Sequence, residues 1–147
     1  MSPKTESHDS ASLHAKDDRS IWKSGLLAGI LAAALNTAIF VLAVVAGVFP
    51  SLTFQPDTGA QMSVEPILLV SVLGALGGAG AFALLRSRVA NPVPVFLKVV
   101  IVVLLLSFAA PFAIPGTAVV QAIVLNVMHI VVAGGVVWAV YRTKPNE

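Results

Sequence analysis

The stretch "LNVMHIVVAGG", residues 125 to 135, sets His129 and, three positions before it, Asn126 among residues that are otherwise apolar or glycine. A third polar side chain, Asn36, sits inside another apolar run, "LLAGILAAALNTAIFVLAVVAGVF". Residues three apart on a helix are neighbours, so Asn126 and His129 can form one polar patch, with Asn36 at similar depth as a third member. Such a patch has two readings. Histidine, with an unperturbed pKa of about 6.5, suits proton transfer or the binding of a small polar ligand. Alternatively, the three side chains hydrogen-bond between helices and fix their register, at roughly 0.6 kcal/mol per bond in a membrane. A proton pathway ordinarily needs an acidic partner, and no Asp or Glu lies in the middle of any apolar run.

The other reactive types are scattered. Glu65 precedes Pro66 in "SVEP", where a carboxylate suits a helix N-terminus and proline its first turn; with Asp57 it could instead draw cations to an outer mouth. His8 and His14 lie six apart in a polar segment with no supporting ligand cluster, so no metal site is expected. The chain has no cysteine, which excludes disulfides, thiolate metal sites and thiol nucleophiles. No HExxH, no GxSxG and no phosphate-binding glycine loop occurs; "GALGGAGAF" lies in an apolar helix with no strand before it and reads as packing. No lysine falls in mid-span to carry a Schiff base. Neither an enzyme nor a cofactor is expected.

These residues must be positioned by membrane helices. Of the 147 residues 57 % are hydrophobic and 11 % charged, and mean hydropathy is +0.92, against about 25 % charged in soluble chains. Residues 1 to about 20 are polar and of mixed charge, and are expected to form a disordered tail. Residues 21 to 147 then form a transmembrane domain of four spans, about Lys23–Phe49, Val64–Leu85, Val95–Ala113 and Ala118–Tyr141, each long enough to cross a core that takes about 20 helical residues. The first run is too long for a secretory h-region of about 7–15 residues and is expected to remain as an uncleaved helix. In the third, Pro111 is tolerable only if a neighbour takes up the freed carbonyl, and Lys98 can extend to the headgroups.

With four spans, all nine basic residues (Lys4, Lys16, Arg19, Lys23, Arg86, Arg88, Lys98, Arg142 and Lys144) fall on one side. The opposite loops, "PSLTFQPDTGAQMS" and "IPGT", have none. The positive-inside rule puts both termini in the cytoplasm, and Trp22, Trp138 and Tyr141 fall at that same interface. A net charge of +2 gives no reason to expect nucleic acid. The partners expected are the lipid bilayer and, through helix association, a second copy or another membrane protein.

Association of helices in a bilayer relies on close packing, and three spans have small-residue faces. The first has Gly25, Gly29, Ala32, Asn36, Ala43 and Gly47; the second has Gly74 and Gly78 in GxxxG spacing beside Ser71, Ala75 and Ala79; the fourth has Ala122, Asn126, His129 and Ala133. The fold expected is all-α, a four-helix transmembrane bundle.

The chain resembles a family of bacterial four-span integral membrane proteins described only as a domain of unknown function. The resemblance runs from about Trp22 to Tyr141. It is carried by "WKSGLLAGILAAALN", by "VEPILLVSVLGALGGAGAFALL", by a basic turn before a phenylalanine-led third helix ending "LLSFAAP", and by "VMHIVVA". It implies a topology, a bacterial inner membrane, and that the positions of Asn36 and His129 are typical. Threonine is commoner in that family where this chain has Glu65, which weakens a role for Glu65. It implies no activity. The expected role is a small non-enzymatic membrane protein working through helix association; the alternative is a carrier or channel for a small solute or protons built on Asn36, Asn126 and His129.

Overall fold

The structure, a computed structural model, describes the backbone of residues 6–49 and 63–143, with side chains from Arg19 onward. The outer loop with Asp57, the side chains of His8 and His14, and Lys4 and Lys144 lie outside the described residues. Four helices follow in order: α1 Glu6–Val45, α2 Val64–Arg88, α3 Pro92–Ser107 and α4 Val119–Arg142, with a 3₁₀ turn at Ala110–Ala113 after α3. No strand occurs among the described residues. Within these elements, Arg19–Val45, Val64–Arg88, Pro92–Ala113 and Val119–Arg142 are long and apolar enough to cross a membrane. The chain is a multi-pass membrane protein.

Two boundaries differ from expectation. α1 begins at Glu6, so much of the segment expected as a disordered tail continues the first span as helix. Extending an existing helix escapes the nucleation cost, and Ala11, Leu13, Ala15 and Lys16 favour that extension. At the other end, α1 stops at a glycine. Gly47 has φ +77°, and the Val48 and Gly47 amides donate to the carbonyls of Ala43 and Val44, a Schellman closure. α3 ends at Ser107 rather than running to Ala113, because Pro111 has no N–H and its ring crowds the carbonyl four residues earlier. Sixteen residues span only about 24 Å of a core about 30 Å thick; the 3₁₀ turn carries the chain further. Pro115 and Gly116 (φ +79°) then turn it back, with the Thr117 amide donating to Ile114 O at 3.2 Å.

Contact pairs fix the directions. Along α1, Gly25, Gly29 and Asn36 meet Ala79, Val72 and Ser71 in turn, so α2 runs antiparallel to α1. Gly135 approaches Ala28, while Met128 accepts from Asn36 and Gln121 donates to Val48. α4 is therefore also antiparallel to α1, and parallel to α2. The helix ends bearing Arg19 and Lys23, Arg86 and Arg88, Lys98, and Arg142 consequently share one end of the bundle. Trp138 lies there with the Arg142 guanidinium 4.8 Å from its ring centroid.

α1, α2 and α4 make the core. One apolar cluster, around Ile21, Phe82, Phe96 and Val136, fills the basic end; another, around Phe40, Phe49, Ile67 and Met128, fills the opposite end. α3 is peripheral: 6 % of its span is buried against 39 % for α1, and Phe96, edge-on to Phe82 at 5.2 Å, is its one buried side chain.

Candidate functional site

Between the two apolar clusters lies a polar layer centred on Asn36. Its Nδ2 donates to Ser71 Oγ at 3.0 Å and to the Met128 carbonyl at 3.3 Å, joining α1 to α2 and α4. Both Asn36 and Ser71 are 2 % exposed. The amide reaches two helices at once because glycines bring them close. A Cβ on Gly25 would stand 2.5 Å from the Ala79 Cβ, and one on Gly29 3.1 Å from the Val72 Cα. On α2 the same holds against α4: a Cβ on Gly74 would meet Val132 at 3.2 Å and one on Gly78 would meet Val136 at 2.5 Å. All four glycines thus sit at interhelical contacts, Gly25 and Gly29 on the α1–α2 seam and Gly74 and Gly78 on the α2–α4 seam.

His129 is half-buried, and its Nδ1 lies 2.7 Å from the carbonyl of Leu125, one turn back. A carbonyl only accepts, so Nδ1 carries the hydrogen and Nε2 of the neutral ring is left as an acceptor. His129 and Asn36 line one cavity of about 140 Å³ together with Ser71, Met128 and apolar side chains. Asn126 does not join them. Its Nδ2 donates at 3.4 Å to the carbonyl of Phe108, in the stretch where Pro111 stops α3. The patch of three is therefore divided: Asn36 and His129 share a cavity, and Asn126 ties α4 to the end of α3.

A larger groove of about 430 Å³ lies beside the cavity, between α3 and the α2–α4 pair. Gly74, Gly77 and Gly78 form one wall and Phe96, Val99, Val103 and Ser107 another, with His129 and Val132 at the junction. No group of three or more metal-ligating side chains occurs among the described residues. Glu65 is exposed in the first turn of α2 and does not line the cavity, although Pro66 and Ile67 beside it do.

Two residues outside the expected patch also join helices, Ser71 and Gln121. Ser71 is three positions before Gly74, on the face that approaches α1, and that register was the signal for its pairing with Asn36. Gln121 occupies the third position of α4; its Oε1 accepts from the Ala118 amide at 2.9 Å and its Nε2 donates to Val48 O at 2.8 Å. Glutamine at that position is a known N-terminal partner, while the interhelical acceptors, being backbone carbonyls, carry no residue signature.

The pattern that defines a family of unknown function, DUF6069, matches residues 16–146 of the chain. No match was found among the curated proteins or among the solved structures.

Proposed function

The chain belongs to the DUF6069 family, whose function is unknown, and from that premise we propose that it is a non-enzymatic protein of a bacterial inner membrane that works through helix association. It acts as a homo-oligomer or as a subunit or modulator of a larger membrane complex, with both termini in the cytoplasm. The observation that carries this reading is the state of α3. It is held to its own bundle by one buried side chain, Phe96, while Ile101, Val102, Leu105 and Leu106 form an outward face that is 55–71 % exposed. That face has no polar atom in its side chains, so what it meets is apolar and within the bilayer. The intramembrane amides, by contrast, donate through Nδ2 to other helical segments of the same chain, and the Oδ1 of each is buried without a protein partner. The carrier reading has less to rest on, since Asn126 is held by Phe108 and no carboxylate lines either cavity.

The cysteine-free chain allows a direct test by oxidation of single-cysteine variants in native membranes. Val102→Cys and Leu105→Cys are expected to form a disulfide-linked dimer, or a defined adduct with one other membrane protein after a bifunctional reagent. Leu69→Cys, equally exposed on α2, serves as the control. Absence of any α3-specific product would overturn the reading, and dimer against hetero-adduct separates its two forms.

A further inference from the structure

The groove beside α3 is a gap that no side chain of the protein fills. Its α2 wall is made by Gly74, Gly77 and Gly78, and a Cβ at Gly77 would meet nothing within 4 Å. Of the lining residues, Val70, Gly77, Val99 and Val103 are exposed, while those of α4 are buried or half-buried. The groove of about 430 Å³ therefore opens to the bilayer between α2 and α3. Walls that face no partner atoms forfeit dispersion contacts, and what reaches such walls from a bilayer is hydrocarbon.

Charge indicates what that hydrocarbon is attached to. Val70, Gly77, Leu84 and Arg88 follow one another at steps of seven, seven and four, which keeps them on one side of α2, and all four are exposed. Arg88 thus stands at the basic end of the strip that borders the opening. It lies eleven residues from Gly77, about 16 Å of helix and close to one leaflet's half of a hydrocarbon core about 30 Å thick. The segment 86–98 has three cations and no carboxylate. Glu65 is the only carboxylate among the described side chains, and it lies at the other end of α2. No described carboxylate meets the Arg88 guanidinium, whose planar fork suits a phosphate.

We infer that the opening between α2 and α3 is a binding site for one anionic phospholipid of the leaflet at the basic end, its phosphate on Arg88 and one acyl chain running past Leu84 into the groove, as far as the glycine wall. Lys98 is also exposed, but it lies three and seven residues before Ile101 and Leu105, on the far side of α3 from the groove. It carries the same charge as Arg88 without bordering the opening. The lipid site and the outward face of α3 are separate surfaces of one helix.

The test uses the full chain in phosphatidylcholine nanodiscs containing a trace of phosphatidylglycerol with a photoactivatable diazirine midway along one acyl chain. Labelling of α2 near Gly77 and of α3 near Val99 is expected, saturable and displaced by unlabelled phosphatidylglycerol. A phosphatidylcholine probe with the same diazirine should label these residues about fivefold less, the factor expected of one basic residue at an anionic surface. Arg88→Gln should weaken labelling by the anionic probe about fivefold for the same reason, whereas Lys98→Gln, with the same loss of charge, should leave it unchanged. Gly77→Leu puts a side chain into the groove and should remove the label from Val99. All three substituted positions are exposed, so the bundle is kept. Equal labelling by the two probes, or undiminished labelling of Gly77→Leu, would overturn the inference. Equal losses for Arg88→Gln and Lys98→Gln would overturn it too, and would mean attraction to the whole basic end rather than to a site.

Discussion

At the scale of single residues, Asn36 and His129 share a cavity but differ in what they hold. The Asn36 amide spends both hydrogens on other helices, whereas His129 bonds a carbonyl of its own helix. Replacement by leucine separates the two. Asn36→Leu is expected to lower stability by roughly 1 kcal/mol, given about 0.6 kcal/mol per interhelical bond in a membrane and some relief from removing an unpaired oxygen. His129→Leu is expected to stay within about 0.5 kcal/mol of the parent. Unfolding in mixed micelles measures both, and a larger loss for His129→Leu would refute the assignment. The imidazole can be observed directly: nitrogen NMR in bilayers should show hydrogen on Nδ1 in the neutral ring, and a ring with hydrogen on Nε2 would contradict the bond to Leu125. These roles were half legible in the sequence. Amides and a histidine in apolar runs announce that they need partners, but the partners of all three are at least partly main-chain carbonyls, which every residue possesses.

At the scale of helices, the seams are set by how closely backbones approach, and the glycines divide into those that permit contact and those beside open space. Gly25→Ala places a methyl 2.5 Å from the Ala79 Cβ; neither partner has a flexible end to yield, so the helices must separate at a cost of about 1–3 kcal/mol. Gly77→Ala meets nothing and should be neutral or stabilising by up to about 1 kcal/mol, since alanine favours helix. Thermal unfolding of the two variants side by side checks the contrast, and equal effects would mean that the α1–α2 seam is looser than described. Which spans carry small residues was plain from their spacing. That Gly77 would face a gap and Gly78 a valine was not, because adjacent residues differ by only 100° around a helix and the facing element is unknown beforehand. Helix ends were harder still. Pro111 signalled an interruption, yet where α3 would stop depended on the carbonyl four residues before it, and α1's extension to Glu6 reflects propagation from a formed helix rather than the composition of the segment itself.

For the whole molecule, the bundle is a tight trio of α1, α2 and α4 with α3 appended, and its basic helix ends are gathered at one end. A cysteine at Ser87, in the last turn of α2, and one at Ala118, just before α4, should therefore be labelled by an impermeant thiol reagent from opposite faces of the membrane. Sealed vesicles of both orientations decide it, and labelling of both from one face would mean an odd number of crossings. This level was the most legible. Span length, hydropathy and the placement of nine basic residues depend on the solvent and not on which helix touches which. The trio itself could not be read, because α1 touching α4 is a matter of register between segments far apart in the chain.

The Asn36 amide also carries information about time. Its two acceptors are made at different moments of synthesis: Ser71 lies 35 residues downstream and Met128 lies 92. An α1–α2 hairpin can close on Ser71 while the rest of the chain is still on the ribosome, leaving one amide hydrogen without its partner in the bilayer until the final span arrives. The last helix to be made thus completes the first, and a chain truncated before α4 carries an unfinished bond at its centre, the kind of defect that a membrane quality-control protease can read.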